Sequence, residues 1–115
     1  MIPSGVQIYI ALEPIDLRYS FNRLAGLAKE QIGYDARSGA LFVFFSRRRD
    51  ALKVLFFDGT GMAIFYKRLD RGVFQLPMMA RAGDRHVEID DAALEALLDG
   101  IDVENEPSKR RVRAH

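Results

Sequence analysis

The sequence predicts an α+β domain, an antiparallel β-meander sheet with two packing helices. Three observations carry that expectation. Apolar runs too short for helices recur at short intervals from Leu41 to Leu76, turn residues separate them, and a stretch of helical character lies on either side of the block. The chain has 115 residues, the size of one ordinary domain. By area scaling it buries about two-thirds of its extended surface. A single domain is expected over 1–101, followed by a flexible basic tail over 102–115.

The elements follow in order. Val6-Gln7-Ile8-Tyr9-Ile10 reads as a first strand, ended near Glu13-Pro14 because proline supplies no ladder donor. Asp16 is placed as the N-cap of a helix of about sixteen residues, with Leu17, Phe21, Leu24, Ala28 and Ile32 on one core-facing stripe. Gly33 closes that helix, being free to take positive φ. Leu41–Phe45, Leu52–Phe57, Met62–Tyr66 and Val73–Leu76 then read as four strands of a meander, the last stopped by Pro77. Ser46-Arg47-Arg48-Arg49-Asp50 links the first pair, and Asp58-Gly59-Thr60-Gly61 is a hairpin signal for the second. His86-Val87-Glu88-Ile89 alternates and reads as an edge strand. Asp90 caps a second helix over Asp91 to Asp99, Gly100 follows it, and Ile89 with Leu94 forms a hydrophobic staple.

Composition limits the function classes. Without cysteine there is neither a disulfide scaffold nor a thiolate metal site, which suits a reducing cytoplasm. The start Met1-Ile2-Pro3-Ser4-Gly5 lacks the pattern of a signal peptide, and the apolar run Ala40–Phe45 is too short to span a bilayer. A soluble cytoplasmic protein is expected. The formal net charge of +1 conceals a segregation. Counted along the sequence, residues 1–36 net −1, 37–85 net +6, 86–107 net −8 and 108–115 net +4. Such blocks speak to partners and association.

The arginine turn is the main candidate for chemistry. Arg47, Arg48 and Arg49 sit on one hairpin connection, with Lys53, Lys67, Arg68 and Arg71 close by in a meander. Like charges this dense repel, and a phosphate-rich partner offsets the repulsion while releasing counterions. Lys67 and Arg68 are expected on opposite faces of their strand. The aromatics Phe42, Phe44, Phe45, Phe56, Phe57, Phe65 and Tyr66 are read mainly as core, since they carry the largest apolar area available.

Catalysis finds little support. His86 and His115 are the only histidines, and no His/carboxylate cluster has ligand spacing. Ser46 lacks a nucleophile elbow, and Asp58-Gly59-Thr60-Gly61 lacks the lysine and helix of a phosphate loop. Neither an active site nor a cofactor is expected.

Several motifs in register carry a family resemblance. Asp16-Leu17-Arg18 followed by Phe21-Asn22-Arg23-Leu24, then Ser38–Phe44, the arginine turn, Leu52–Leu55, Phe56–Gly61 and Tyr66–Phe74 lie in one order with no large gap. Together they resemble the TnpB accessory proteins of insertion sequence 66-type transposable elements, over most of residues 3–101. These are distinct from the much longer RNA-guided nuclease that shares the name. The chain departs from the family pattern in carrying phenylalanine at Phe56-Phe57, where members commonly have tryptophan nearby, and at Phe45, where a basic or polar residue is common. The resemblance implies a non-enzymatic role in transposition beside a separate, element-encoded transposase. With the basic block, it leads to an expected DNA-binding set of Arg47, Arg48, Arg49, Lys53, Lys67 and Arg68, contacting phosphates. The alternative expectation is a protein–protein adaptor that meets the transposase through the acidic segment Glu88–Glu106 without contacting DNA.

Overall fold

The structure, a computed structural model, describes residues 5–76 and 80–100. Its first strand is β1 (Ile8–Ala11), buried along its whole length. A helix follows, α1 (Phe21–Leu27), which continues through a π-helical turn at Ala28–Ile32. Gly33 ends it at φ 96°, with its N–H donating to the Ala28 carbonyl at 2.9 Å. Three strands succeed one another with short links: β2 (Leu41–Phe45), β3 (Ala51–Phe57) and β4 (Met62–Arg68). The described chain finishes with β5 (His86–Ile89) and the helix α2 (Asp91–Asp99).

The five strands form one sheet in the order β4-β3-β2-β1-β5. The β2-β3-β4 meander is antiparallel throughout, as expected, and β5 pairs antiparallel with β1. By contrast, β1 and β2 run parallel, Ile8 beside Leu41 and Ile10 beside Val43. Parallel neighbours need a crossover, and the segment carrying α1 supplies it. A bond from Ile15 N to Phe45 O at 2.8 Å carries the parallel alignment past the end of both strands.

Strand alternation sends the core to both faces. On one, Tyr9, Phe42, Phe44 and Leu55 pack against Leu24, Leu27, Ala28 and Ile32 of the first helical segment. On the other, Ile8, Ile10, Val43, Phe45, Leu52 and Val54 pack against Leu94 and Leu97 of α2, with Phe74 wedged among them. One helix therefore lies on each face. Burying Phe42 and Phe44 completely contributes about 2–3 kcal/mol each in transfer free energy.

Three expectations change. The first helix starts at Phe21, with Ser20 in the N-cap position; Asp16 instead accepts from the N–H and guanidinium of Arg18 at 2.7–3.0 Å, closing a local turn. Leu17 accordingly precedes the helix, and Phe21 is exposed rather than on the core stripe. Val73–Leu76 is not a fourth meander strand: only Val73 makes a bridge, and Phe74 N donates to the carbonyl of Arg49 in a turn. The second helix matches its reading: Asp90 Oδ1 accepts from Ala93 N at 2.8 Å, Ile89 and Leu94 share one cluster, and Gly100 ends the helix at φ 72°. A Cβ on Gly100 would come within 2.6 Å of Leu69 Cδ1, so the end of α2 closes tightly on the loop after β4. Pro77 and the tail over 102–115 lie outside the described residues.

Candidate nucleic-acid interface

The β2–β3 connection is a tight turn held at several points. Ser46 is buried; its N–H donates to Ala51 O at 2.9 Å, and its Oγ accepts from Ala51 N at 3.2 Å and donates to Asp50 Oδ1 at 3.1 Å. Arg49 N donates to Ser46 O at 3.0 Å, which brings Arg49 to φ 63°. That left-handed conformation disfavours a side chain with a Cβ by about 1–2 kcal/mol. It holds because neighbours lock it: Leu69 N donates to Asp50 O at 2.8 Å and Phe74 N to Arg49 O at 2.7 Å. The loop from Leu69 to Phe74 thus straps the turn from outside, and exposed Arg71 rides on it.

Arg47, Arg48 and Arg49 are all exposed, and among the described residues no carboxylate pairs with their guanidinium groups. Arg68 joins them through register, since it pairs with Ala51 at the end of β4 beside the turn. Its Nη2 donates to the Tyr66 hydroxyl at 3.3 Å. Four arginines therefore gather at one corner of the sheet, with Arg71 on the adjoining strap. A concentration of fixed positive charge on a braced backbone attracts polyanions and resists being remodelled by them.

The structure does not bring the two expected lysines into this group. Lys53 is buried, and its Nζ donates to the carbonyls of Leu17 and Tyr19 at 2.6 and 2.7 Å. The same ammonium lies 5.2 Å from the centre of the Tyr66 ring. Its job is internal: it tethers the lead-in to α1 onto β3. With Arg18 as the larger cause, Lys53 helps hold the Asp16 carboxyl well below the usual carboxylate range. Lys67 points to the α2 face, where its Nζ donates to Leu98 O at 2.8 Å, near the carbonyl end of that helix. The expected opposition of Lys67 and Arg68 across their strand holds.

What the sequence reading missed is the strap. Val73-Phe74-Gln75-Leu76 alternates like a strand, so nothing in its pattern reported that its first hydrogen bond would go to the arginine turn. At the other hairpin, Asp58 Oδ1 accepts from Thr60 N, Thr60 Oγ1 and Gly61 N at 2.9–3.0 Å, which lowers its carboxyl pKa. That loop is a closed turn. A cleft of about 570 Å³ on the β5 side of the sheet is lined by Gly5, Val6, Gln7, Glu88, Ile89, Asp90, Asp91 and Ala93. Among the described residues no group of three or more histidine or carboxylate side chains is placed to hold a metal ion.

A mixed five-stranded sheet faced by one helix on each side, with a braced cationic corner, defines a small α+β protein. The family model described as IS66 Orf2 like protein matches residues 6–108, and the chain belongs to that family. Two uncharacterized proteins of Sinorhizobium fredii are similar along almost their whole length. The protein y4hO is 42% identical over 104 residues, covering 89% of this chain and 88% of its own. The protein y4jC is 34% identical over 107 residues, covering 92% and 91%. No solved structure matches the chain. Family membership makes this an accessory protein of IS66 transposition, in a family regarded as non-catalytic. No helix among the described residues is long and apolar enough to cross a membrane.

Proposed function

We propose that the protein assists a separate, element-encoded transposase by holding DNA through its phosphate backbone at the corner formed by Arg47, Arg48, Arg49 and Arg68. One observation supports this above the others: three consecutive exposed arginines sit on a turn pinned by hydrogen bonds from β3 and from the Leu69–Phe74 strap. Surface cations left without carboxylate partners, on a backbone held in a disfavoured conformation, gain nothing for folding. Phosphates neutralise them, and the planar guanidinium fork suits phosphate oxygens. Contacts of this kind position a protein on DNA without reading its sequence.

Binding to element-end and random duplexes across a salt series tests the reading. Four phosphate contacts give a slope of log affinity on log salt of about −4. Changing Arg47, Arg48 and Arg49 together to alanine should bring that slope to about −1. Absence of binding at low salt overturns the proposal. The segregation of charge favours a second reading, in which the acidic cleft edge of Glu88, Asp90 and Asp91 meets a basic surface of the transposase. The triple variant separates the two: if it keeps transposase capture in nuclease-treated extracts and loses DNA, the arginines serve DNA and the acidic edge serves the protein.

A further inference from the structure

The outer edge of β4 has a feature that DNA contact does not use. β4 is 7 residues long, and among the described residues no strand lies beyond it. It carries two large exposed aromatics, Phe65 and Tyr66, each 47% accessible. Two hydrogen bonds settle which of its backbone groups face outward. Asp58 N donates to Gly61 O at 3.0 Å, and Leu69 N donates to Asp50 O at 2.8 Å. These bracket the β3–β4 ladder, in which Ala51 pairs with Arg68 and Phe57 with Met62. Bonded and non-bonded pairs alternate along an antiparallel ladder. The odd-numbered residues of β4 therefore bond to β3, and Met62, Ile64, Tyr66 and Arg68 turn their N–H and C=O groups to the open edge.

We infer that this edge pairs with β4 of a second copy of the chain, antiparallel about a two-fold axis at Phe65. In that register Met62 faces Arg68 of the other copy and Ile64 faces Tyr66, so every outward group of the strand finds a partner. Phe65 meets its symmetry mate in a non-bonded pair, where side chains approach most closely, with Cα atoms about 4.5 Å apart. Aromatic cross-strand pairs of this kind are favourable. The charges sit at one end of the strand, so Lys67 faces Ala63 and Arg68 faces Met62, with no cation opposite a cation. Slipping the register in either direction shortens the overlap, and slips of two or three steps toward the C-terminus also set lysine against lysine or arginine against arginine. Full overlap thus selects one register, and the cationic end weighs against the more distant slips, as charged edge residues do elsewhere against unwanted pairing. Like-to-like pairing across one patch closes on itself, giving a dimer with one continuous ten-stranded sheet. Each dimer then carries two arginine corners, displaced toward opposite ends of the paired strands.

Sedimentation across a wide concentration range, in DNA-free buffer, reads the association. The unmodified chain should shift from monomer to dimer as concentration rises, and Phe65→Lys should weaken dimerisation at least ~10-fold by placing two ammonium groups at the axis. Phe65 is exposed, so an unchanged circular dichroism spectrum, with a melting profile unchanged at concentrations where both chains are monomeric, shows that the variant is folded. Cross-linking fixes the register independently. The sequence has no cysteine, so Phe65→Cys introduces the only thiol. A Cα separation of about 4.5 Å lies within disulfide range, and mild oxidation should give covalent dimer. Met62→Cys thiols would lie about 20 Å apart in this register and should stay unlinked. A chain that is monomeric at every concentration, or that links equally at both positions, overturns the inference. So does a Phe65→Lys variant that dimerises normally. A monomer that loses transposase capture on Phe65→Lys overturns it as well, and assigns the edge to a strand of the transposase.

Discussion

The two edges of the sheet are built on opposite plans. β5 is short, 4 residues, and its Val87 and Ile89 are buried beneath α2. Leu12 N donates to Arg85 O, which sets the β1–β5 ladder so that only His86 and Glu88 turn backbone groups outward. Glu88, Asp90 and Asp91 give that border one sign of charge, which repels a like surface. β4 is longer, less buried, aromatic at its centre and basic at one end. One edge is anchored inward and closed by charge; the other is paired on one side with β3, is held to α2 by Lys67, and has no strand beyond it among the described residues. The same sheet thus separates a border that stabilises the molecule from one that can be altered without unfolding it.

That contrast can be broken most forcefully at Val87. Val87→Asp puts an unpaired carboxylate under α2 and should cost about 3–5 kcal/mol in urea unfolding of the dilute, monomeric chain, whereas Phe65→Asp on the other border should stay within about 1 kcal/mol under the same conditions. Equal losses at the two edges would remove the distinction. Lys53 sharpens it from inside. Lys53→Met leaves the Leu17 and Tyr19 carbonyls without their donor and should destabilise by about 1–3 kcal/mol, while leaving the salt slope of DNA binding unchanged. A flattened slope in this variant would return Lys53 to the DNA-contacting set.

A smaller effect of opposite sign is expected at the arginine corner. Arg49→Gly relieves the φ of 63° and should raise stability by about 0.5–1 kcal/mol, even though a contact to phosphate is lost. Stability and affinity moving in opposite directions would mark the corner as strained for binding; a loss of both would show that the arginine side chain supports the fold. The least effect concerns acid. Hydrogen bonds from Thr60 and Gly61 lower the Asp58 pKa from 3.8, so the stability they confer is present above that value and is lost as pH falls through the lowered one. Asp58→Asn keeps an acceptor without the titration, and its unfolding free energy should show a shallower fall between neutral and strongly acid pH.

Much of this architecture was legible in the sequence where local chemistry decides it. Asp90, Leu94 and Gly100 announced α2, and Asp58-Gly59-Thr60-Gly61 announced the β3–β4 hairpin. The parallel β1–β2 pairing was hidden, because Ile8-Tyr9-Ile10 looks the same whichever way its neighbour runs. Asp16 misled as a cap: its carboxylate is taken by Arg18, while Lys53 claims the Leu17 and Tyr19 carbonyls and keeps them out of a helix. For the candidate site, composition disclosed the arginine turn but not which cations it would include. Lys53 shares strand parity with Ala51 and Leu55, both buried, and that parity was the signal that it faces inward. Nothing comparable marked Lys67, whose partner is a helix carbonyl contributed from much further along the chain.

The strand order β4-β3-β2-β1-β5 also governs the timing of assembly. β2, β3 and β4 are sequence neighbours and form through short loop closures, whereas the sheet's innermost neighbour to them, β1, is synthesised first and gains its second partner from the last strand made. Closing that long loop is entropically the harder step. Refolding should therefore form the meander early and seat β5 late, so that core substitutions at Val54 slow folding while those at Val87 chiefly speed unfolding. On the ribosome, the arginine corner would be in place before the acidic segment 86–107 has emerged.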